Sequence, residues 1–93
     1  MIIGLLSLEL YLPESNSLKS KRKIIKSIKD KIRHDFNVSI AEVGYNDLWQ
    51  RSALGVVIVS NEQKFTNNVL NKIVDKLSIN GAINLIDYSI EFL

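Results

Sequence analysis

Apolar and polar positions alternate from the first residues of the chain. Ile2, Leu6, Leu8, Leu10 and Leu12 share one parity, while Ser7 and Glu9 fall on the other. A period of two predicts a strand over Ile2–Leu12 with one face committed to a core. Pro13 ends it, because proline has no N–H for a ladder. From Leu18 the period lengthens. Leu18, Ile25, Ile28, Ile32 and Phe36, with Ile24 beside them, recur at the spacings of a buried helical stripe. Ser15-Asn16-Ser17 stands just ahead, with side chains suited to capping the exposed amides of a helix start.

After Asn37 the pattern shortens again, and Val38–Val43 reads as a second strand. Gly44-Tyr45-Asn46-Asp47 carries turn chemistry. Ala53–Ser60 is apolar on both parities, which predicts a strand in the middle of a sheet. Ser60 and Gln63 have the spacing of a capping box. Phe65, Val69, Ile73 and Leu77 then recur every four residues and predict a second amphipathic helix. Asn80-Gly81 closes it, with a left-handed glycine as the expected cap. In Ala82–Leu93, Ile86, Tyr88, Ile90 and Phe92 alternate with Asp87, Ser89 and Glu91, a last strand.

The order is strand, helix, strand, strand, helix, strand. Right-handed crossovers put both helices on one face of a four-stranded antiparallel sheet. The expected fold is therefore α+β, a ferredoxin-like βαββαβ plait, and 93 residues suit one such domain over 1–93. Ile25, Ile28, Ile32, Val69 and Ile73 are the expected core of the helix layer.

Composition then narrows the function. The chain is 46% hydrophobic and 24% charged with a single Pro, as ordered globular proteins are. It has no Cys, which excludes disulfide frameworks, thiol catalysis and cysteine-ligated zinc. The apolar start lacks a positive flank and meets Glu9 too early for a spanning helix or signal peptide, so a cytoplasmic location with no membrane contact is expected.

Charge changes the picture most. The net charge is only +2, yet Leu18–Asp35 holds eight of the twelve Lys and Arg against Asp30 and Asp35 alone. That segment carries +6 and the remaining chain −4, a polarity that attracts polyanions. On a helical wheel Lys19, Arg22, Lys26, Lys29 and Arg33 form one basic ridge to the side of, or opposite, the isoleucine stripe, expected to face water. With almost no interleaved acid, and positive charge crowding the helix N-terminus, the ridge repels itself and a polyanion would offset the strain. A solvated helix face is the plain alternative.

The second candidate is Asp47-Leu48-Trp49-Gln50-Arg51, where the only Trp sits in a loop two residues before an Arg. The indole can stack on a base with Arg51 gripping phosphate, or the motif can serve an interface. The expectation taken first is structural, with Trp49 folded over the sheet edge, Asp47 capping the turn and Arg51 paired to a local carboxylate. The third candidate is the sheet face opposite the helices, where Ile3, Leu5 and Tyr11 fall and suggest an oligomer interface.

Taken together, Ser17-Leu18-Lys19 with Lys21-Arg22, Phe36-Asn37-Val38-Ser39 with Ala41-Glu42-Val43, and Asp47-Leu48-Trp49-Gln50-Arg51 resemble the YlxP-like family of small uncharacterised bacterial proteins. The likeness runs from Ile3-Gly4-Leu5 through Leu54-Gly55-Val56 to the C-terminal strand. It implies a ferredoxin-like fold and a gene neighbourhood shared with translation initiation and ribosome-binding factors. It supplies no activity and no catalytic residues.

Catalysis is not expected. His34 is the single His, set on a charged helix, and no carboxylate spacing marks a general acid and base. The four Gly are isolated from one another, so there is no phosphate-cradling loop, and the Arg-bearing loop of acylphosphatases is missing. No metal, cofactor or small-molecule substrate is indicated. Strand three lacks the aromatics with which RNA-recognition motifs stack bases, and there is no Gly-x-x-Gly clamp. The leading expectation is a non-catalytic protein that contacts ribosomal or other structured RNA through its first helix. The rival is a homodimeric or protein-docking module that uses the helix-free sheet face, with no nucleic-acid role.

Overall fold

A computed structural model describes residues 1–93. The elements are β1 (Ile2–Tyr11), α1 (Leu18–Asp35), β2 (Ser39–Gly44), β3 (Arg51–Ser60), α2 (Gln63–Ser78) and β4 (Asn84–Phe92). One sheet runs β2-β3-β1-β4, with every neighbouring pair antiparallel. This is the ferredoxin-like α+β plait that the periodicities predict. β3, apolar on both parities, lies in the interior as expected, and β1 lies beside it.

The core forms where the two-residue and 3.6-residue periods meet. Leu6, Leu8 and Leu10 of β1 and Leu54, Val56 and Ile58 of β3 face Ile25, Ile28 and Ile32 of α1 and Leu70, Ile73, Val74 and Leu77 of α2. Ser17 caps α1, its hydroxyl accepting the Ser20 amide proton at 3.0 Å. Gly4 sits on the core side of β1, where α2 crosses closely. A Cβ there would stand 2.5 Å from the Thr66 methyl group.

Three local expectations fail for identifiable reasons. The α2 stripe is Thr66, Leu70, Ile73, Val74 and Leu77, while Phe65 is exposed and Val69 half-buried. Strict four-residue steps advance about 400° each, so Phe65 and Leu77 end roughly 120° apart and cannot share a face. The capping box does not form. Glu62 is the N-cap, and Ser60 accepts the Glu62 amide proton from outside the helix. Gly81 has no left-handed backbone, because Asn80 makes the turn through its side chain, which accepts the Ala82 amide proton at 2.9 Å.

β4 departs from strict alternation as well. Glu9 faces Asp87 while Leu10 faces Leu85, so Ile86 is an extra, bulged residue and is exposed. The bulge returns Leu85 to the core side beside Leu10. A second bulge interrupts β2 between Glu42 and Gly44. Both lie on the two edge strands, where they hinder pairing with other chains.

Candidate functional site

α1 lies against β2, with Leu18 through Ile32 supplying its inner stripe. Position 21 belongs to that stripe, four residues before Ile25 and seven before Ile28. Lys21 is therefore buried, only 1% exposed, although it is one of the eight Lys and Arg that make Leu18–Asp35 basic. The spacing alone carried the signal. The lysine type masked it.

The ridge residues Lys19, Arg22, Lys26 and Arg33 are exposed, and Lys29 is half-buried. They occupy the flank of α1 that faces the free edge of β2, since Arg33 donates to the Ile40 carbonyl at 2.9 Å. The few interleaved acids take part of the ridge out of play. Asp30 pairs with Lys26 at 2.6 Å and with Arg33 at 3.8 Å. The Lys26 hydrogen bond is the main cause that holds the Asp30 carboxyl below its usual range. Lys19, Arg22 and Lys29 make no ion pair, and no acid stands in the first turn. Three free cations thus run from the helix start to its middle.

The opposite flank of α1 is tied to α2. Asp35 pairs with Lys76, whose ammonium lies 5.6 Å from the centre of the Phe36 ring. That pairing, helped by a hydrogen bond with His34, lowers the Asp35 carboxyl to about 2. Between the helices lies a groove of about 230 Å³, lined by Ile28, Ile32, Leu77 and Ile79 and edged by Lys31, Lys76 and Asn80. It gathers no carboxylate or nucleophile. No three His, Cys, Asp or Glu side chains converge in a way that could hold a metal ion.

Beneath the β2–β3 loop is a polar knot that the sequence reading missed. Lys21 Nζ stands 2.9 Å from a Glu42 carboxylate oxygen, and the same oxygen accepts the Ser52 hydroxyl proton at 2.6 Å. Asn46 donates to the other oxygen at 3.3 Å. Lys21 also donates to the Tyr45 carbonyl. Tyr45 has φ 58°, a left-handed backbone that costs a residue with a Cβ about 1–2 kcal/mol. Its surroundings compensate. The phenol donates to Glu9 at 2.8 Å, and the Arg51 guanidinium lies 4.9 Å from the ring centre. The Glu9 hydrogen bond is also the main cause that raises the Tyr45 phenol above its ordinary value.

Arg51 is thereby committed. It pairs with Glu9 at 3.2 Å, the local carboxylate partner expected for it, and its Nε is buried without a hydrogen bond. The other two expectations for the loop fail. Asp47 does not cap the turn, which is closed instead by Leu48 donating to the Tyr45 carbonyl at 3.0 Å. Trp49 is not packed away, as an indole folded down for structure would be. It is 53% exposed, and Leu48 beside it is 48% exposed. The loop is nevertheless well anchored. Leu12 donates to the Gln50 carbonyl at 2.9 Å, and Gln50 donates back to the Pro13 carbonyl at 3.3 Å. Pro13 leads into α1, so the loop sits against the start of the basic helix.

Ile3, Leu5 and Tyr11 lie on the helix-free sheet face, where the parity put them, and are half-buried by their neighbours. Val57 and Val59 pair with Leu5 and Ile3 there, and Val59 is 62% exposed. Val43 covers Gly55 on the same face. Glu9, Tyr11 and Arg51 make the other end of the face polar. No helix of the fold is long and apolar enough to cross a membrane.

A family model described as "Protein of unknown function (DUF503)" matches residues 3–90. The chain is also similar to "Uncharacterized protein YlxP" of Bacillus subtilis (strain 168). The two are 37% identical over 73 residues, which cover 78% of this chain and 79% of that one.

Proposed function

The chain belongs to the YlxP-like family of unknown function, residues 3–90 spanning almost all of it, and from that premise we propose that it is a non-catalytic protein that binds structured RNA along α1. One observation carries the proposal. Lys19, Arg22 and Lys29 lie on one flank of a helix, none has an ionic partner, and the rest of the chain is net acidic. Cations at a helix start oppose the macrodipole and one another. Phosphates would relieve both. A ribosome-associated role agrees with this chemistry and with the gene neighbourhood that the family resemblance implies.

Phosphate contacts release condensed counterions, so binding should weaken steeply with salt. Three to five contacts give a slope of log affinity against log salt of about −2 to −3.5, at roughly −0.7 per contact on single strands. The informative variant is Lys19→Gln/Arg22→Gln/Lys29→Gln, which spares Lys26 and Arg33 with their intramolecular partners. It should flatten the slope by about two units and weaken all sequences alike. Its fold should hold, since solvent-facing changes usually stay within about 0.5 kcal/mol each. An unchanged slope in a folded triple variant defeats the proposal.

A second reading is favoured by the helix-free face. Ile3, Leu5, Val57 and Val59 form an apolar patch there that a lone domain leaves wet. A homodimer that covers it would also bring two basic ridges into one particle. Light scattering at micromolar concentration distinguishes the states, and a mass of 10.6 kDa excludes the dimer.

A further inference from the structure

The ridge leaves Leu48 and Trp49 unexplained. An exposed aromatic on a slack loop would need no explanation, but this loop is fixed at both ends and from beneath. Lys21 and the Leu48 amide converge on the Tyr45 carbonyl, the Tyr45 ring is held by Glu9 and Arg51, and Gln50 is tied to Leu12 and Pro13. The result is a rigid mount for two apolar side chains about half open to water. It abuts the start of α1, where Lys19 and Arg22 stand without ionic partners and Lys21 between them is the anchor. Arg51 faces the Glu9 corner of the sheet, where it is paired at 3.2 Å.

We propose that Leu48 and Trp49 form a stacking platform for an unpaired base, with Lys19 and Arg22 taking the adjacent phosphates, so that the RNA bound is one carrying a single-stranded loop or bulge beside a helical stem. This rests on the RNA-binding proposal above and names the substrate class for it. Every base has a π face, so stacking selects unpaired character without selecting sequence. RNA is recognised chiefly at such splayed-out bases, because its deep major groove admits no side chain. Charge distinguishes this occupant from a protein pocket. The apolar pair adjoins a helix start that has no acid in its first turn and carries Lys19 and Arg22 without ionic partners.

Trp49 is the only Trp, so its fluorescence reports the platform directly. The chain is titrated with two RNAs of equal length and composition, a hairpin with an unpaired purine loop and a blunt duplex. Affinities are measured for the wild type and for Trp49→Ala, Trp49→Phe and the Lys19→Gln/Arg22→Gln/Lys29→Gln triple. The hairpin should quench the indole and bind about ten-fold more tightly than the duplex. Trp49→Ala should abolish that preference and leave duplex affinity unchanged. Trp49→Phe should keep most of the preference, and the triple variant should weaken both RNAs. Hairpin binding without quenching, or an undiminished preference in Trp49→Ala, overturns the platform and leaves the ridge standing, as expected of a loop that docks protein. No binding of either RNA by the wild type overturns both proposals.

Discussion

Lys21 and Glu42 form an ion pair of 2.9 Å in which the lysine side chain is 1% exposed and the carboxylate 17%. It joins the first helix to the edge strand β2 at the point where the chain enters the Trp49 loop. Burying two charges is expensive, and their attraction recovers the cost only when remaining donors and acceptors are matched. Here Ser52 and Asn46 complete the carboxylate, and the Tyr45 carbonyl takes a second lysine proton.

Glu42→Gln should destabilise the fold by about 3 kcal/mol, because it leaves the Lys21 charge buried beside a neutral amide. Lys21→Met should cost less, since Glu42 keeps two donors and some water. The double variant Lys21→Met/Glu42→Leu should lie closer to wild type than Glu42→Gln does. Urea denaturation of the set provides the measurement. A double-variant loss as large as the Lys21→Met and Glu42→Gln losses added together would show that the pair is not coupled.

Gly4 lets β1 pass close to α2. Gly4→Ala places a Cβ 2.5 Å from the Thr66 methyl, 3.1 Å from Leu70 and 3.3 Å from Ile58. Overpacking of this kind costs about 1–3 kcal/mol. Adding Thr66→Ser removes the clashing methyl, keeps the hydroxyl that donates to the Glu62 carbonyl, and should recover part of the loss in thermal denaturation. A Gly4→Ala protein as stable as wild type would mean that α2 shifts without cost.

The Asp35–Lys76 pair should give the protein an acid-sensitive limb. The folded carboxyl titrates at about 2 against an ordinary 3.8, so the folded state holds that proton less tightly than the unfolded chain. Its contribution is therefore complete above about pH 5 and is lost as pH falls through 3.8 toward 2. Melting temperatures of wild type and Asp35→Asn should differ at neutral pH and converge across that window. A constant difference down to about pH 2 would assign the wild-type advantage to something other than this ionisation.

Much of the architecture was legible from period alone. Alternation in Ile2–Leu12 and the isoleucine stripe of α1 reflect where each backbone geometry points its side chains, a local property. The order of elements then left few topologies for the sheet. The flank that carries Lys19, Arg22, Lys26, Lys29 and Arg33 followed from the same wheel, with Lys29 alone half-buried. Phe65 was misplaced on local grounds too, by four-residue steps that outrun the helical turn.

Contacts between distant segments decided the rest. Lys21 is a basic residue by type and a core position by spacing. Only the approach of Glu42, Ser52 and the Tyr45 carbonyl makes its burial tolerable. The commitment of Arg51 to Glu9 depends on β1 and β3 pairing in their observed register, which sets Glu9 opposite Ala53 and Tyr11 opposite Arg51. The exposure of Trp49 depends on the bonds that tie Gln50 to Leu12 and Pro13. Sequence determined the helices, the strands and the net charge each carries, because those follow from neighbours along the chain. Which charges stay free to meet a ligand was decided by tertiary structure, because a charge is neutralised by whatever folding brings within a few ångströms of it.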